Sequence, residues 1–282
     1  MSEYGQASAP AAKRYVRQDK RDNRTPMKRI VAFVGSARKK HTQSAVEQFI
    51  RNLQALGDIE YEIVRLSDHN LGICRGCKLC LDKGEELCPL KDDRDMLIEK
   101  MTAADGVVFA SPNYSFQVSA IMKVFLDRLG FVFHRPRFFG KSFTCIVVQG
   151  IYGGPKILEY LDFVGNGLGF NTVKGSCITS LEPMTEKQQR KNDALLEAQS
   201  KRFHNSLMSP SFKTPTFLFL MIFRMSRTSM KLLLDESYRD FTYYRDKGWF
   251  ESDYYYPTRL NPIKRIFGNV LDRTSAMMAK KR

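Results

Sequence analysis

Between residues 27 and 180 the chain alternates short apolar runs with longer stretches whose apolar residues return every three or four positions. Ile30-Val-Ala-Phe-Val34 is continuously apolar and stops at Gly35, and across residues 42–56 Ala45, Phe49 and Leu53 fall on one helical face. That pattern predicts a buried strand followed by a helix. Residues 61–66 alternate as a second strand, and Asp92 and Asp93 stand where a helix running to about Ala104 would begin. Residues 106–111 read as a third strand, 120–129 as a helix, 143–149 as a fourth strand, 155–164 as a helix and 172–179 as a fifth strand. Five apolar strands separated by helices predict an α/β fold, a doubly wound five-stranded parallel sheet covered on both faces. The glycines of residues 164–169 fit a helix terminus ahead of the last strand better than a second nucleotide loop.

In such a sheet, ligands sit beyond the carboxyl ends of the strands, and three loops leave those ends. The first offers Gly35 for the turn, then Ser36, Arg38, Thr42, Gln43 and Ser44 around a helix N-terminus. Free N–H groups and the helix dipole favour a phosphate there; a plain strand-helix turn with a solvated basic cluster is the alternative. Neither a Walker lysine motif nor G-x-G-x-x-G occurs. The second loop carries Pro112, Asn113, Tyr114, Ser115 and Phe116. The third carries Gln149, Gly150, Tyr152, Gly153 and Gly154, whose glycines let backbone approach a ligand closely. A flat aromatic cofactor with one phosphate would suit the set.

A separate chemistry is concentrated in residues 74–88, where Cys74, Cys77, Cys80 and Cys88 form a C-x2-C-x2-C-x7-C run. Three thiolates spaced by two residues can converge through a tight turn with a fourth closing the site, as a cubane iron-sulfur cluster requires. A redox-active or simply reduced cysteine group is the next reading. Zinc ranks last, because structural zinc sites usually take two separated pairs. Cys145 and Cys177 lie in apolar strand-like runs and read as buried, unreactive thiols.

Composition narrows the class. The net charge of +15 divides unevenly, with eight Lys/Arg against three Asp/Glu in residues 1–30, eighteen against sixteen in 31–180 and nineteen against eleven in 181–282. A nearly neutral centre with basic flanks argues for an enzyme core and against a nucleic-acid-binding fold. Residues 1–26 hold no apolar leader and read as a basic flexible arm, which with the clustered cysteines implies a reducing cytosol. The longest apolar stretch, residues 217–223, falls far short of the ~20 a membrane span needs. Residues 181–282 read as a mainly helical, aromatic-rich C-terminal extension, with clusters at Tyr243-Tyr244, Trp249-Phe250 and residues 254–256 expected to pack on the body or on a partner. Within it, Arg224, Arg227 and Lys231 share one face of a helix over 215–234, with Leu218, Met221, Ile222, Met225 and Leu232 largely opposite. Weak peripheral membrane contact through that cationic side is an expectation, alongside the plain reading of a helix docked on the body.

Residues 27–180 resemble the flavodoxin-like NADPH-dependent FMN reductases, and within them the iron-sulfur flavoproteins. Gly35-Ser-Ala-Arg-Lys39 is similar to that family's GSPRK loop, with Ala37 in place of proline and His41-Thr-Gln in place of Gly-Asn-Thr. Ser111-Pro-Asn-Tyr114 with Lys123-Val-Phe-Leu-Asp-Arg128 resembles its SPVY and K-x-x-x-DR segments, and the loop from Gln149 resembles its third flavin loop. The resemblance implies FMN, its phosphate on the first loop and its ring between the second and third, NAD(P)H as reductant, a 4Fe-4S cluster on the four cysteines, and a homodimer. Hydride transfer to a flavin needs neither His41 nor His134 as acid or base, because the cofactor carries the chemistry. Asp127 and Arg128 read as a helix-surface or interface pair. The expected function is a cytosolic NAD(P)H-dependent flavin oxidoreductase passing electrons to a small-molecule or protein acceptor. The alternatives are a non-enzymatic flavin and iron-sulfur electron carrier, and a membrane-surface or nucleic-acid binder that retains only the fold.

Overall fold

The computed structural model describes residues 27–281, so the arm expected over 1–26 lies outside the described residues. In chain order the elements are β1 (Lys28–Val34), α1 (His41–Gln54), β2 (Ile59–Arg65), α2 (Leu79–Asp82), α3 (Arg94–Ala103), β3 (Gly106–Tyr114), β4 (Gln117–Val118), α4 (Ala120–Arg128), α5 (Gly130–His134), β5 (Ser142–Gln149), α6 (Gly154–Gly167), β6 (Asn171–Thr172), β7 (Ser176–Thr179), α7 (Glu186–Met208), α8 (Phe217–Leu233), α9 (Arg239–Asp246) and α10 (Pro262–Ala279). The sheet runs β2-β1-β3-β5, with β6 and β7 both pairing beside β5, and all these pairings are parallel. It is a flavodoxin-like doubly wound sheet, and β4 adds only a short antiparallel hairpin on the end of β3.

Alternation along each strand feeds two cores. Ile30, Ala32, Val34, Val108, Ala110, Ile146 and Val148 pack with Val46, Phe49 and Leu53 of α1 on one face. Val31, Phe33, Val107, Phe109, Phe143, Cys145 and Val147 pack with α3, α4 and α6 on the other. Strands buried on both faces read as continuous apolar runs, which is why β1, β3 and β5 are legible in the sequence. The predicted fifth strand is interrupted: residues 173–175 separate β6 from β7. A side chain at Gly175 would meet the Cys145 carbonyl oxygen at 2.3 Å, so backbone crosses β5 there too closely for any residue but glycine.

Residues 181–282 do two things. α7 seals the sheet beside α1, burying Leu196, Phe203 and Leu207 in the same core as β1 and β3. Beyond it, Leu220, Phe223, Tyr244, Trp249, Tyr254 and Leu260 build a further cluster that rests on Phe139 of the body. Two of the three cations expected on one side of α8, Arg224 and Arg227, are turned inward, while Lys231 stays exposed. Arg224 is buried between Asp253 at 2.5 Å and Asp272 at 2.7 Å, Arg227 pairs with Asp272 at 2.6 Å, and Lys231 pairs with Glu251 at 2.5 Å. Burying a guanidinium requires charged partners, and Asp272 of α10 with Asp253 supplies them, so these two arginines are held within the fold. No helix among the described residues is long and apolar enough to cross a membrane.

Candidate functional site

The three loops meet at the carboxyl ends of β1, β3 and β5. Gly35 turns the chain against α4, where a Cβ would lie 2.8 Å from the Met122 Cβ. The Ser119 hydroxyl, N-cap of α4, donates to the Gly35 carbonyl at 2.5 Å, and the Ser119 amide donates to Ser111 Oγ at 3.0 Å. The first and second loops are thereby tied together from beneath. α1 then starts with no acidic residue in its first turn and no side-chain cap. Its leading amides have no intrahelical acceptor, and Arg38, Lys39 and Lys40 precede them.

One cleft is lined by Ser36, Arg38, Lys40, His41, Thr42, Pro112, Asn113, Tyr114, Val148, Gln149, Gly150 and Ser180. The geometry joins these predicted residues: Ser36, Arg38, Thr42, Pro112, Asn113, Tyr114, Gln149 and Gly150. An Arg38 guanidinium N–H lies 3.5 Å from the Tyr114 hydroxyl, and the Ser36 hydroxyl donates to the Arg38 carbonyl at 3.2 Å. Asn113 Nδ2 donates to the Tyr152 carbonyl at 2.6 Å, and the Gly154 amide donates to Gln149 Oε1 at 2.7 Å. Gly153 faces this wall at φ 96°, where a side chain would strike Phe116 and Asn113. Ser115 and Phe116, at φ 51° and 63°, form the strained tip of the β3–β4 hairpin. Phe116 and Tyr152 stand largely exposed beside the cleft, edge to face at 6.0 Å.

Two predicted residues lie elsewhere. Gln43 Nε2 donates to Glu47 along α1, and Ser44 faces a separate recess against α7. Helical periodicity is the reason, since two or three positions into α1 the side chains have rotated off the cleft. Lys40, Val148 and Ser180 line the cleft beyond the predicted set, Ser180 through its place at the end of the last strand. His41 is engaged by Glu182 at 2.8 Å, a hydrogen bond that holds the Glu182 carboxyl below its usual range.

All four clustered cysteines line a second, small cavity of about 30 Å³ together with Arg94 and Arg128. Left-handed backbone at Gly76 and Lys78 folds the loop back on itself. Cys74 and Cys77 are exposed, Cys80 is half-buried and Cys88 is buried. Among the described residues, no three His, Cys, Asp or Glu side chains are gathered as a metal site, so the thiols share a cavity without completing a coordination sphere. Arg128, expected to pair with Asp127, turns inward instead. Its Nη1 donates to Cys88 Sγ at 3.2 Å and its Nη2 to Asp92 at 2.9 Å, while Asp127 pairs with Lys123. Burial pushes the Cys88 thiol up, but the Arg128 hydrogen bond, the backbone near Leu90 and the charges of Arg128 and Arg94 together bring it below its ordinary value. Cys80 is shifted upward by burial and by the neighbouring cysteines.

Behind the loop a buried charge cluster anchors it. Arg135 is fully buried and donates to the Cys80 carbonyl at 2.6 Å, to Glu85 at 2.9 Å and to Asp240 of α9. Arg137 reaches Glu85 at 3.1 Å, and His134 is 2.8 Å from Asp240. Cys145 and Cys177 are buried or half-buried, and burial pushes the Cys177 thiol up to about 11, in keeping with inert thiols. None of the six cysteines is in a disulfide.

Comparison with known proteins agrees with this layout. The profile of a family described as NADPH-dependent FMN reductase matches residues 28–181. An iron-sulfur flavoprotein of Archaeoglobus fulgidus is 34% identical over 158 residues, covering 52% of this chain and 70% of that protein. One from Methanocaldococcus jannaschii is 35% identical over 100 residues, 36% of this chain and 51% of that protein. One from Clostridioides difficile is 28% identical over 182 residues, 62% of this chain and 77% of that protein. The solved structure of RosB with bound 8-demethyl-8-formylriboflavin-5'-phosphate superposes at TM-score 0.53 with 14% identity, covering 83% of this chain and 92% of that one, which shows a shared fold.

Proposed function

We propose, from the premise that the chain belongs to the NADPH-dependent FMN reductase family and to its iron-sulfur flavoprotein group, that it is a flavin oxidoreductase that takes electrons from NAD(P)H through FMN. The observation that best supports this is the convergence of the β1, β3 and β5 loops on one cleft whose base is an uncapped, acid-free helix N-terminus. Asn113 adds a fitting detail, since its Oδ1 is buried with no partner and would accept from a ring N–H. Bound FMN would supply hydride acceptance and release of electrons singly or in pairs. Arg38, Ser36, Thr42 and the leading amides of α1 would hold its phosphate. Pro112, Asn113, Tyr114, Gln149 and Gly150 would position its ring, with Ser115, Gly153 and Gly154 shaping the backbone around them. Phe116 and Tyr152 present exposed faces on which a nicotinamide or an aromatic acceptor can stack. No side chain is needed as acid or base, and the two histidines near the loops are occupied by carboxylates.

Cys74, Cys77, Cys80 and Cys88 would ligate a 4Fe-4S centre, which supplies one-electron transfer toward a small-molecule or protein acceptor. What supports this reading is the donor chemistry, four thiols lining one cavity whose buried Arg94 and Arg128 offset thiolate charge; the loop would have to draw the four sulfurs together to ligate the centre. A homodimer completing the flavin site and a cytosolic, reducing setting belong to the same proposal.

The test is anaerobic purification followed by a visible spectrum, iron and sulfide analysis, and steady-state NAD(P)H oxidation. Flavin with iron and turnover is expected. Cys88→Ser should lose iron while keeping flavin, because the two sites are lined by different residues. Bound FMN with no NAD(P)H oxidation would make the protein a carrier, and no affinity for FMN would end the proposal.

A further inference from the structure

Among the described residues, helix α10 has one face in use and one without a partner. Gly268 and Ser275 are its buried positions against α8, and a side chain at Gly268 would meet the Arg224 guanidinium at 3.0 Å. On the opposite side Ile263, Ile266, Val270 and Met277 recur at helical spacing and are 69%, 64%, 50% and 58% exposed. Four aligned apolar side chains half or more in water are unusual on a helix whose other face is packed. Beside them Arg265, Arg273, Lys280 and Lys281 are exposed, and none pairs with a carboxylate among the described residues. The one acid of the helix, Asp272, is spent inward on Arg224 and Arg227. The outer face therefore combines an apolar stripe with uncompensated positive charge.

We infer that this outer face of α10 is a peripheral binding surface for anionic lipid. Charge decides among the occupants. A second copy of the helix would set four unpaired cations against four more. Nucleic acid would pair the cations but leave the isoleucines, valine and methionine in water. An anionic bilayer interface takes the apolar stripe at the acyl boundary while the long Lys and Arg stems reach headgroup phosphates. The surface lies on α10, not on the α8 face whose arginines are consumed internally. It needs neither flavin nor cluster, so it stands or falls apart from the proposed oxidoreductase activity.

The experiment is co-sedimentation of the full chain, as purified, with vesicles of phosphatidylcholine alone or mixed with phosphatidylglycerol, at low and high salt. Binding to the mixed vesicles at low salt, release at high salt and no binding to phosphatidylcholine alone are expected. Arg273→Gln with Lys281→Gln should weaken binding roughly twenty-five-fold, at about five-fold per cation near an anionic surface. Ile266→Asp with Val270→Asp should abolish it, and flavin content should stay unchanged in both variants because these positions are exposed and remote from the cleft. Absence of binding at low salt, or equal binding by both variants, overturns the inference. So does a dimer in vesicle-free solution that Ile266→Asp dissociates, which assigns the face to a second copy. Retention on a DNA duplex that ignores Ile266→Asp overturns it in favour of nucleic acid.

Discussion

Replacing Asp240 with alanine is expected to lower the unfolding free energy by about 3 kcal/mol and the midpoint of thermal unfolding by roughly 10 °C, the scale for removing one partner of a buried ion pair in a chain of this size. Asp240 and Arg135 are both buried, and the pair joins α9 to the segment after α5. Deleting the carboxylate leaves a guanidinium in the interior with Glu85 as its remaining acid and frees the ring of His134. Because Arg135 also holds the Cys80 carbonyl, the cysteine loop should loosen with it. Protease should cut within residues 74–88 of Asp240→Ala faster than in the parent under native conditions. An exposed pair is the control: Glu186→Ala, which removes the surface contact to Arg190, should cost no more than a few tenths of a kcal/mol. Equal effects of the two substitutions would show that the cluster contributes no more than a surface contact.

That clamp also marks the limit of what the sequence discloses. β1, β3 and β5 are legible because both their faces are buried, and the loops that follow them are legible because glycines, a proline and a basic helix start have local meanings. Arg135 has no local signature. Its partner Asp240 is 105 positions away, and the pairing exists only once the aromatic cluster around Tyr244 and Trp249 has seated α9 on the body. Arg128 is a parallel case. Beside Asp127 in the sequence it reads as half of a surface pair, yet helical rotation gives Asp127 to Lys123 and turns Arg128 toward Cys88. The same geometry explains α8, where spacing places Arg224, Arg227 and Lys231 on one face but does not reveal that the two arginines are buried. Whether a pair of arginines meets water or Asp253 and Asp272 is settled by residues 29 and 48 positions downstream of Arg224. The break between β6 and β7 was hidden for a different reason: a strand pattern does not reveal how closely Gly175 passes Cys145.

The flavin cleft is more legible because its parts are contributed by the first residues after strands, and its sharpest test is Arg38. Arg38→Ala should weaken FMN binding roughly 10- to 150-fold, the equivalent of about 1.5–3 kcal/mol for a charge-assisted hydrogen bond. Stability should hardly change. Among the described residues the Arg38 guanidinium hydrogen-bonds only to the Tyr114 hydroxyl at 3.5 Å, a weak bond in an exposed setting, and makes no ion pair. A residue with so little to do for the fold should act on the ligand alone. Riboflavin, which lacks the phosphate, supplies the internal control, since its affinity should be nearly the same in parent and variant. Arg38→Lys should recover part of the loss, because a lysine restores charge but not the planar donor pair. Isothermal titration of flavin-free protein measures all six combinations of protein and flavin. Equal losses for FMN and riboflavin would place Arg38 on the ring and not on the phosphate. Unchanged FMN affinity would leave the amides of α1, with Ser36 and Thr42, as the sufficient anion site.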